Sequence, residues 1–365
     1  MPALRQPWLG IAASVLIIVL SLVFISPFSA GFFGGWLAFV LMCMIPFAIV
    51  VGAFWHGEEP APLARLRQPV RGIAYLLTAA VIGAIVALLL WSTVGGRVGP
   101  PLPMLSMATI LSVTVSFFMV IVFGGWPFSL IPNRLAAGLA LLVGVYVVAI
   151  GLFVLLANFD FLKGAPIYRA DLDPQGPFDA WGVIVVAVTA LALMFLVLHF
   201  DLWPLTRSAG LMKQPVLGVV WTLGALVLAV PLYQLGIRGL GMTPPAFLVS
   251  VPIPFIFGSV VMLNMLQGSA FAKLPQPAKG VASAVVAAVV GSLLALLYRA
   301  LMPLVTGDMP AGPPTFDAEL WLANALLAVT FPFLAFYGDF FQLWPLARGG
   351  AEPETEPANG SLAQA

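Results

Sequence analysis

The sequence predicts an all-α polytopic integral membrane protein, with about ten transmembrane helices arranged as five parallel two-helix repeats. Composition is the first observation behind this prediction. Hydrophobic residues make up 62% of the 365 residues and charged residues 8%. Soluble domains average roughly 45–50% hydrophobic residues and about 25% charged residues. The second observation is a set of ten apolar runs, each near the roughly 20 residues that a helix needs to cross a bilayer core. The third is a sequence motif that recurs along the chain.

The apolar runs are separated by short polar connections. We place the spans near residues 9–26, 32–54, 71–93, 103–125, 135–157, 179–201, 216–236, 245–267, 279–301 and 319–342. A cleaved signal peptide is the alternative for the first run. However, the stretch from Leu9 to Ile25 exceeds the roughly 7–15 apolar residues of a signal, and another span follows it. We therefore expect residues 1–350 to form one membrane domain and the polar tail, residues 351–365, to be disordered.

The distribution of Lys and Arg predicts the orientation. One set of connections, which includes both termini, carries ten: Arg5, Arg65, Arg67, Arg71, Arg134, Arg207, Lys213, Lys273, Lys279 and Arg348. The other set carries five: Arg97, Lys163, Arg169, Arg238 and Arg299. Because cytoplasmic loops hold the excess of basic residues, we expect both termini to be cytoplasmic, in a bacterial inner membrane.

The recurring motif ends in Trp and lies at the end of even-numbered spans. In each copy a Phe precedes the Trp by eight residues: Phe47 and Trp55, Phe118 and Trp126, Phe195 and Trp203, Phe336 and Trp344. The tryptophans are 71, 77 and 141 residues apart. The last interval is about twice the others, so we expect a further unit without its Trp at residues 257–271. Trp at a helix end suits the headgroup layer, where its ring is half apolar and half hydrated.

A second motif opens the following spans. It is QPVRG, QPVLG or QPAKG, and it contains Gln68 and Pro69, Gln214 and Pro215, and Gln276 and Pro277. Proline fits the first turn of a helix, and the preceding Gln can cap that end. Together the motifs predict hairpins at residues 9–54, 71–125, 135–201, 216–267 and 279–342. Chance placement of Phe and Trp in an aromatic belt is the alternative, but the regular spacing and the paired motif favour duplication.

Few ionisable residues lie inside the predicted spans, and those at depth are candidates for function because they are costly to bury in lipid. His199, Asp201 and Asp339 precede Trp203 or Trp344 by two to five residues, within roughly 8 Å of the interface. They are therefore candidates for a solute, proton or cation path at the inner face. Hydrated helix ends without such a role are the simpler interpretation.

Prolines inside the even spans indicate irregular helices. Pro46, Pro252, Pro254 and Pro332 are the examples. Broken helices expose carbonyls that line polar cavities in several transporters, although a plain kink is the alternative. Asn264, Asn324 and Gln234 are the uncharged polar side chains that we expect around such a cavity.

Several function classes are disfavoured. The two histidines are far apart and Cys43 is the only cysteine, so we predict no metal site and no cofactor. No catalytic motif is present, which argues against an enzyme, and the scattered basic residues argue against nucleic-acid binding.

The sequence therefore favours a carrier or channel for a small neutral or weakly polar solute, with the even spans around its path. The alternative is a non-catalytic membrane subunit or scaffold of a larger membrane complex. The expected partners are the lipid bilayer and a second copy of the chain or another membrane protein.

Overall fold

The computed structural model describes residues 4–347. The predicted disordered tail, residues 351–365, lies outside this range. Ten helices in the described range are long and apolar enough to cross a membrane. They are α1 (Trp8–Ile25), α2 (Ala30–Phe54), α3 (Val70–Ser92), α4 (Pro103–Val122), α5 (Arg134–Leu156), α6 (Ala180–His199), α7 (Val216–Gly239), α8 (Pro244–Met265), α9 (Ala278–Val305) and α10 (Asp317–Phe340).

The ten predicted spans are confirmed, and every boundary agrees to within four residues. The largest difference is at the end of α9, which continues through Pro303 to Val305. A short parallel pair of strands, β1 (Ala157–Asn158) and β2 (Phe178–Asp179), closes the longest connection, between α5 and α6.

The even and odd helices occupy different layers. In the most apolar 18-residue window, 72% of the residues are buried in α2, α4, α8 and α10, and 50% in α6. The corresponding share in the odd helices is 28–39%. The even helices contact one another in the order α2, α4, α6, α8, α10 and back to α2. They form an inner ring, and the odd helices surround it.

Each odd helix packs between two neighbouring helices of the inner ring: α3 between α10 and α2, α5 between α2 and α4, α7 between α4 and α6, α9 between α6 and α8, and α1 between α8 and α10. The most extensive contacts join an even helix to the next odd helix, as in α2–α3 and α8–α9. The two helices of each predicted hairpin are therefore not the most closely packed pairs. We call the side where even helices end the terminal face, and the opposite side the far face.

All five even helices end in the same backbone conformation, with two successive residues in the left-handed region. These pairs are His56–Gly57, Gly124–Gly125, Asp201–Leu202, Gln267–Gly268 and Gln342–Leu343, with φ between 50° and 76°. Such residues stop a helix by turning the chain away from its axis. When the helices are aligned at these left-handed pairs, Trp55 corresponds to Phe123, Phe200 and Phe341. These three residues precede Trp126, Trp203 and Trp344 by three positions.

The register that aligns the four tryptophans therefore needs correction for Trp55. Its side chain is fully buried, and its Nε1 donates a hydrogen bond of 2.9 Å to the Arg134 carbonyl in the first turn of α5. Trp55 is a packing residue inside the bundle, and it has no exposed surface with which to contact lipid headgroups.

The QP motif joins the start of an odd helix to the end of an even helix. Its Gln Nε2 donates to a carbonyl oxygen over 2.7–3.2 Å in four places: Gln6 to Met265, Gln68 to Phe340, Gln214 to Val122 and Gln276 to His199. The Gln Oε1 accepts from the amide of the Gly four residues later, at 3.1–3.3 Å. Sequence reasoning missed the first copy, QPWLG at residues 6–10. This copy precedes the first span, so no motif ending in Trp comes before it.

The glycine of this motif permits a close approach. A Cβ at Gly72 would meet the ring of Phe341, and a Cβ at Gly218 would meet the ring of Phe123. Gly138 of α5, which has no QP motif, packs in the same way against Trp55. Four of the odd helices therefore start on the end of an even helix with a glycine against an aromatic ring, and in α1 the glycine, Gly10, packs against the Met265 carbonyl.

We expect Gln214→Asn to destabilise the protein, because the shorter amide no longer reaches the Val122 carbonyl and leaves it unpaired. The loss should be about 1–3 kcal/mol, measured as a lower melting temperature of the purified protein in detergent. Gln175→Asn, in an exposed loop, is the matched control and should leave the melting temperature unchanged. Equal melting temperatures for Gln214→Asn and the native chain would contradict this role of the glutamine.

Candidate functional site

An axial path runs through the inner ring and consists of three successive cavities. A terminal vestibule of about 660 Å³ lies among the ends of the even helices. A far vestibule of about 600 Å³ lies among their beginnings. Between them is a constriction that encloses only about 20 Å³. Met42, Ile110 and Leu327 border both the far vestibule and the constriction, and Phe117 and Phe331 border both the constriction and the terminal vestibule.

The five even helices contribute to the three cavities in the same order from the far face to the terminal face. On α6 the order is Ile184, Leu191 and Leu198, and on α4 it is Ser106, Val113 and Ile121. On α6 the path extends from Trp181 to Leu198, which is about 26 Å at about 1.5 Å per residue. The path therefore extends through most of a hydrocarbon core of about 30 Å.

The constriction is apolar. Its lining residues are aliphatic or aromatic apart from Thr114, whose Oγ1 donates a hydrogen bond to the Ile110 carbonyl at 3.4 Å. No lining side chain of the constriction therefore offers a free polar group to water or to a hydrated solute.

The terminal vestibule, by contrast, contains four polar side chains, from Asn264, Gln267, Asp339 and Gln342. None of the four has a side-chain hydrogen bond or ion pair to another residue in the range 4–347. The Asp339 carboxylate packs directly against Gly52, where any side chain would displace it. Unpaired polar groups around a cavity need water or a solute as their partner, so this vestibule is built to be hydrated.

The far vestibule is also polar, and it contains Asn324, Asp308 and Asp317. The Asp317 carboxylate accepts a hydrogen bond from Thr315 at 2.9 Å. Carboxylates thus line both vestibules, and no Lys or Arg of the described chain lines either one. The ionisable side chains that line the two vestibules are therefore acidic.

Three of the predicted path residues line the path: Asn264 and Asp339 at the terminal vestibule, and Asn324 at the far vestibule. The other three do not. Gln234 lines a separate cavity on the side of the bundle, where α7 meets the far face.

His199 connects three helices and does not line the path. Its side chain is 1% exposed. Its Nε2 lies 3.0 Å from Ser259 Oγ on α8, and its Nδ1 lies 2.7 Å from Ser283 Oγ on α9. Because the Ser259 hydroxyl already donates to the Phe255 carbonyl, it accepts from Nε2–H, and Nδ1 accepts from Ser283. A neutral imidazole satisfies this network.

Asp201 stabilises a helix junction. Its carboxylate accepts from Lys279 Nζ and Gln276 Nε2, both at 2.8 Å, at the first turn of α9. The prediction that Asp201 lies on the path is therefore not supported by its position, since its partners belong to the outer layer.

Sequence reasoning missed Gln267 and Gln342. Both occupy the first left-handed position after an even helix, the same position as Asp201, and both face the terminal vestibule. Non-Gly residues are uncommon in this conformation. A usable signal would have been the polar residue that follows the last apolar residue of spans eight and ten.

No known protein family, characterised protein or solved structure is detectably similar to this chain. The fold and the cavities define the class as a multi-span helical membrane protein. Its function is therefore inferred from the geometry of the path alone.

We expect single cysteines to report the two vestibules separately. Cys43 is fully buried, so a background of Cys43→Ala should be silent toward a membrane-impermeant thiol reagent. Gln342→Cys should react from the terminal face only, and Asn324→Cys from the far face only, in oriented vesicles. Val227→Cys, on the lipid-facing side of α7 and 69% exposed, is the control and should not react. Reaction of Gln342→Cys from both faces would show that the constriction is open.

We expect His199→Asn to lower stability and to leave the path unchanged, because the shorter side chain cannot bond both serines. The free energy of unfolding should fall by about 1–3 kcal/mol, measured by denaturation in detergent. His56→Asn is the matched control, since His56 is exposed and its left-handed backbone suits Asn. A change in Gln342→Cys labelling caused by His199→Asn, without loss of stability, would contradict this assignment.

Proposed function

We propose that this protein is a gated conduit for a small neutral or weakly polar solute, or for a small cation, along the axis of its inner ring. The observation that carries the proposal is the coaxial arrangement of two polar vestibules on either side of an apolar constriction. Vestibules of about 600 and 660 Å³ lie within the range of small-molecule sites, about 300–1,000 Å³.

The constriction acts as the gate. A void of about 20 Å³ holds about one water molecule, since a water needs roughly 10–15 Å³. Apolar constrictions of this kind gate by excluding water. Passage therefore requires the five inner helices to move apart or their side chains to change rotamer.

The acidic vestibules set the selectivity. Asp339 on one side and Asp308 and Asp317 on the other attract cations and repel anions. Neutral solutes pay the lowest desolvation cost in the apolar constriction, so they are the preferred cargo.

We further propose that the ten helices derive from five parallel two-helix repeats, with both termini at the cytoplasmic face of a bacterial inner membrane. The repeated helix endings and the repeated glutamine contacts support the duplication. The excess of Lys and Arg in the connections of the terminal face supports the orientation.

We expect Leu191→Ser to open the gate. The hydroxyl lowers the cost of hydrating the constriction, and a reduction of about 1.4 kcal/mol in the barrier corresponds to about tenfold faster flux. The measurement is stopped-flow light scattering of reconstituted vesicles with urea and glycerol, together with a dye for monovalent cations. Leu293→Ser on the outer side of α9, 60% exposed, is the matched control and should match the native chain. Leu191→Trp should reduce flux.

Equal flux for empty vesicles and for all variants would overturn the conduit. If the native protein then also purifies with a second membrane protein in fixed ratio, the subunit interpretation gains support. A rise in flux for Leu191→Ser and Leu293→Ser alike would indicate bilayer leakage and would also count against the conduit.

A further inference from the structure

A groove on the side of the bundle faces the lipid between two outer helices. It encloses about 710 Å³. Its walls come from α5 and α7, with Val148 and Val230 at its lipid side, where they are 41% and 47% exposed. Its floor comes from α4 and α6, and includes Val115 and Val186. We call this cavity the lateral groove. It lies beside the axial path, and Thr114 borders both the groove and the constriction.

The lateral groove extends between the two faces of the bundle. Along α6 its lining extends from Asp179 to Ala190, at the far-face end of that helix, and along α4 from Leu111 to Phe123, at the terminal-face end. The far-face part alone, from Asp179 to Ala190, is about 17 Å long at about 1.5 Å per residue, slightly more than half of a hydrocarbon core of about 30 Å. Apart from Thr114, Thr222 and its polar far-face end, the groove is lined by apolar side chains, as an acyl chain requires.

The far-face end of the lateral groove is polar. Asp179, Tyr233 and Gln234 lie there. The Asp179 carboxylate accepts from the Gly182 amide at 3.0 Å and has no ion pair with another residue of the described chain. The Tyr233 hydroxyl and the Gln234 amide have no hydrogen-bond partner in the range 4–347. One anionic acceptor and two neutral donors are therefore free at the mouth.

The longest connection holds this mouth in place. Asp179 belongs to β2, which pairs with β1 through Asn158. The connection is organised by Asp173, which is 8% exposed and accepts hydrogen bonds from the Phe159 and Gln175 amides and the Tyr168 hydroxyl at 3.0–3.3 Å. The carboxylate is thus presented by an ordered element.

The chemistry of the mouth selects the headgroup. A carboxylate fits an ammonium group, and a hydroxyl and an amide can donate to phosphate or ester oxygens. We propose that the lateral groove binds one acyl chain of a zwitterionic aminophospholipid from the far leaflet, with the headgroup amine on Asp179 and the lipid oxygens at Tyr233 and Gln234. This site does not depend on the proposed conduit.

The test is native mass spectrometry of the full-length protein titrated with phosphatidylethanolamine or with phosphatidylcholine of the same chains. We expect one tightly retained lipid, with phosphatidylethanolamine bound about tenfold more tightly, a ratio equivalent to about 1.4 kcal/mol. Asp179→Asn should abolish this preference without loss of folding, because Asn caps a helix as well as Asp does. Asp171→Asn, in the same connection and exposed, is the matched control and should keep the preference.

A second measurement locates the lipid in the native chain and needs no variant. Phosphatidylethanolamine with a photoreactive group in its acyl chain should crosslink to α4, α6 or α7 residues of the lateral groove, identified by peptide mapping. Equal retention of the two lipids, an unchanged preference in Asp179→Asn, or crosslinks distributed over the outer helices would each overturn the proposal.

Discussion

The architecture depends on how the carbonyl groups at the ends of the inner helices are satisfied. A helix end leaves up to four carbonyls without intrahelical partners, and each of these needs another hydrogen-bond donor. Each even helix ends in two left-handed residues, and in four of the five cases a Gln from an odd helix donates to one of the exposed carbonyls. The odd helix that docks is not the one that packs most closely along the same even helix. For example, α7 docks on the end of α4 and packs along α6. The contacts therefore interlock around the ring.

A closed ring of five helices leaves space along its central axis. At an interaxial distance of about 9 Å the five axes lie about 8 Å from the centre. Large side chains such as Phe117, Leu191 and Phe331 fill this space at the constriction. Small residues such as Gly34 and Gly52 leave it open on either side. The axial path is thus a geometric consequence of the ring, and the size of the side chains decides where it is closed.

Much of the fold could be predicted from the sequence, but only half of the proposed path residues could. Helix number and ends follow from apolar run length, which is a local property. Trp55 was aligned with the other tryptophans because the motif matched, although Trp55 lies three residues earlier relative to the end of its helix than they do. His199 was assigned to the path because buried histidines are costly, yet two serines from distant helices satisfy it. Those serines are 60 and 84 residues away in sequence, and nothing local indicates them.

The sequence by itself determined that residues 4–347 form ten membrane helices, because the backbone in a bilayer must be helical wherever a long apolar run crosses it. It also determined that ionisable groups are scarce at depth. Only the tertiary structure decided which polar residues meet around the axis and which meet at the lateral groove. The helices are apolar on nearly all sides, so periodicity does not distinguish the face toward lipid from the face toward the ring. That distinction depends on neighbours far away in the chain, and it separated Asp339 on the path from Asp201 at a helix junction.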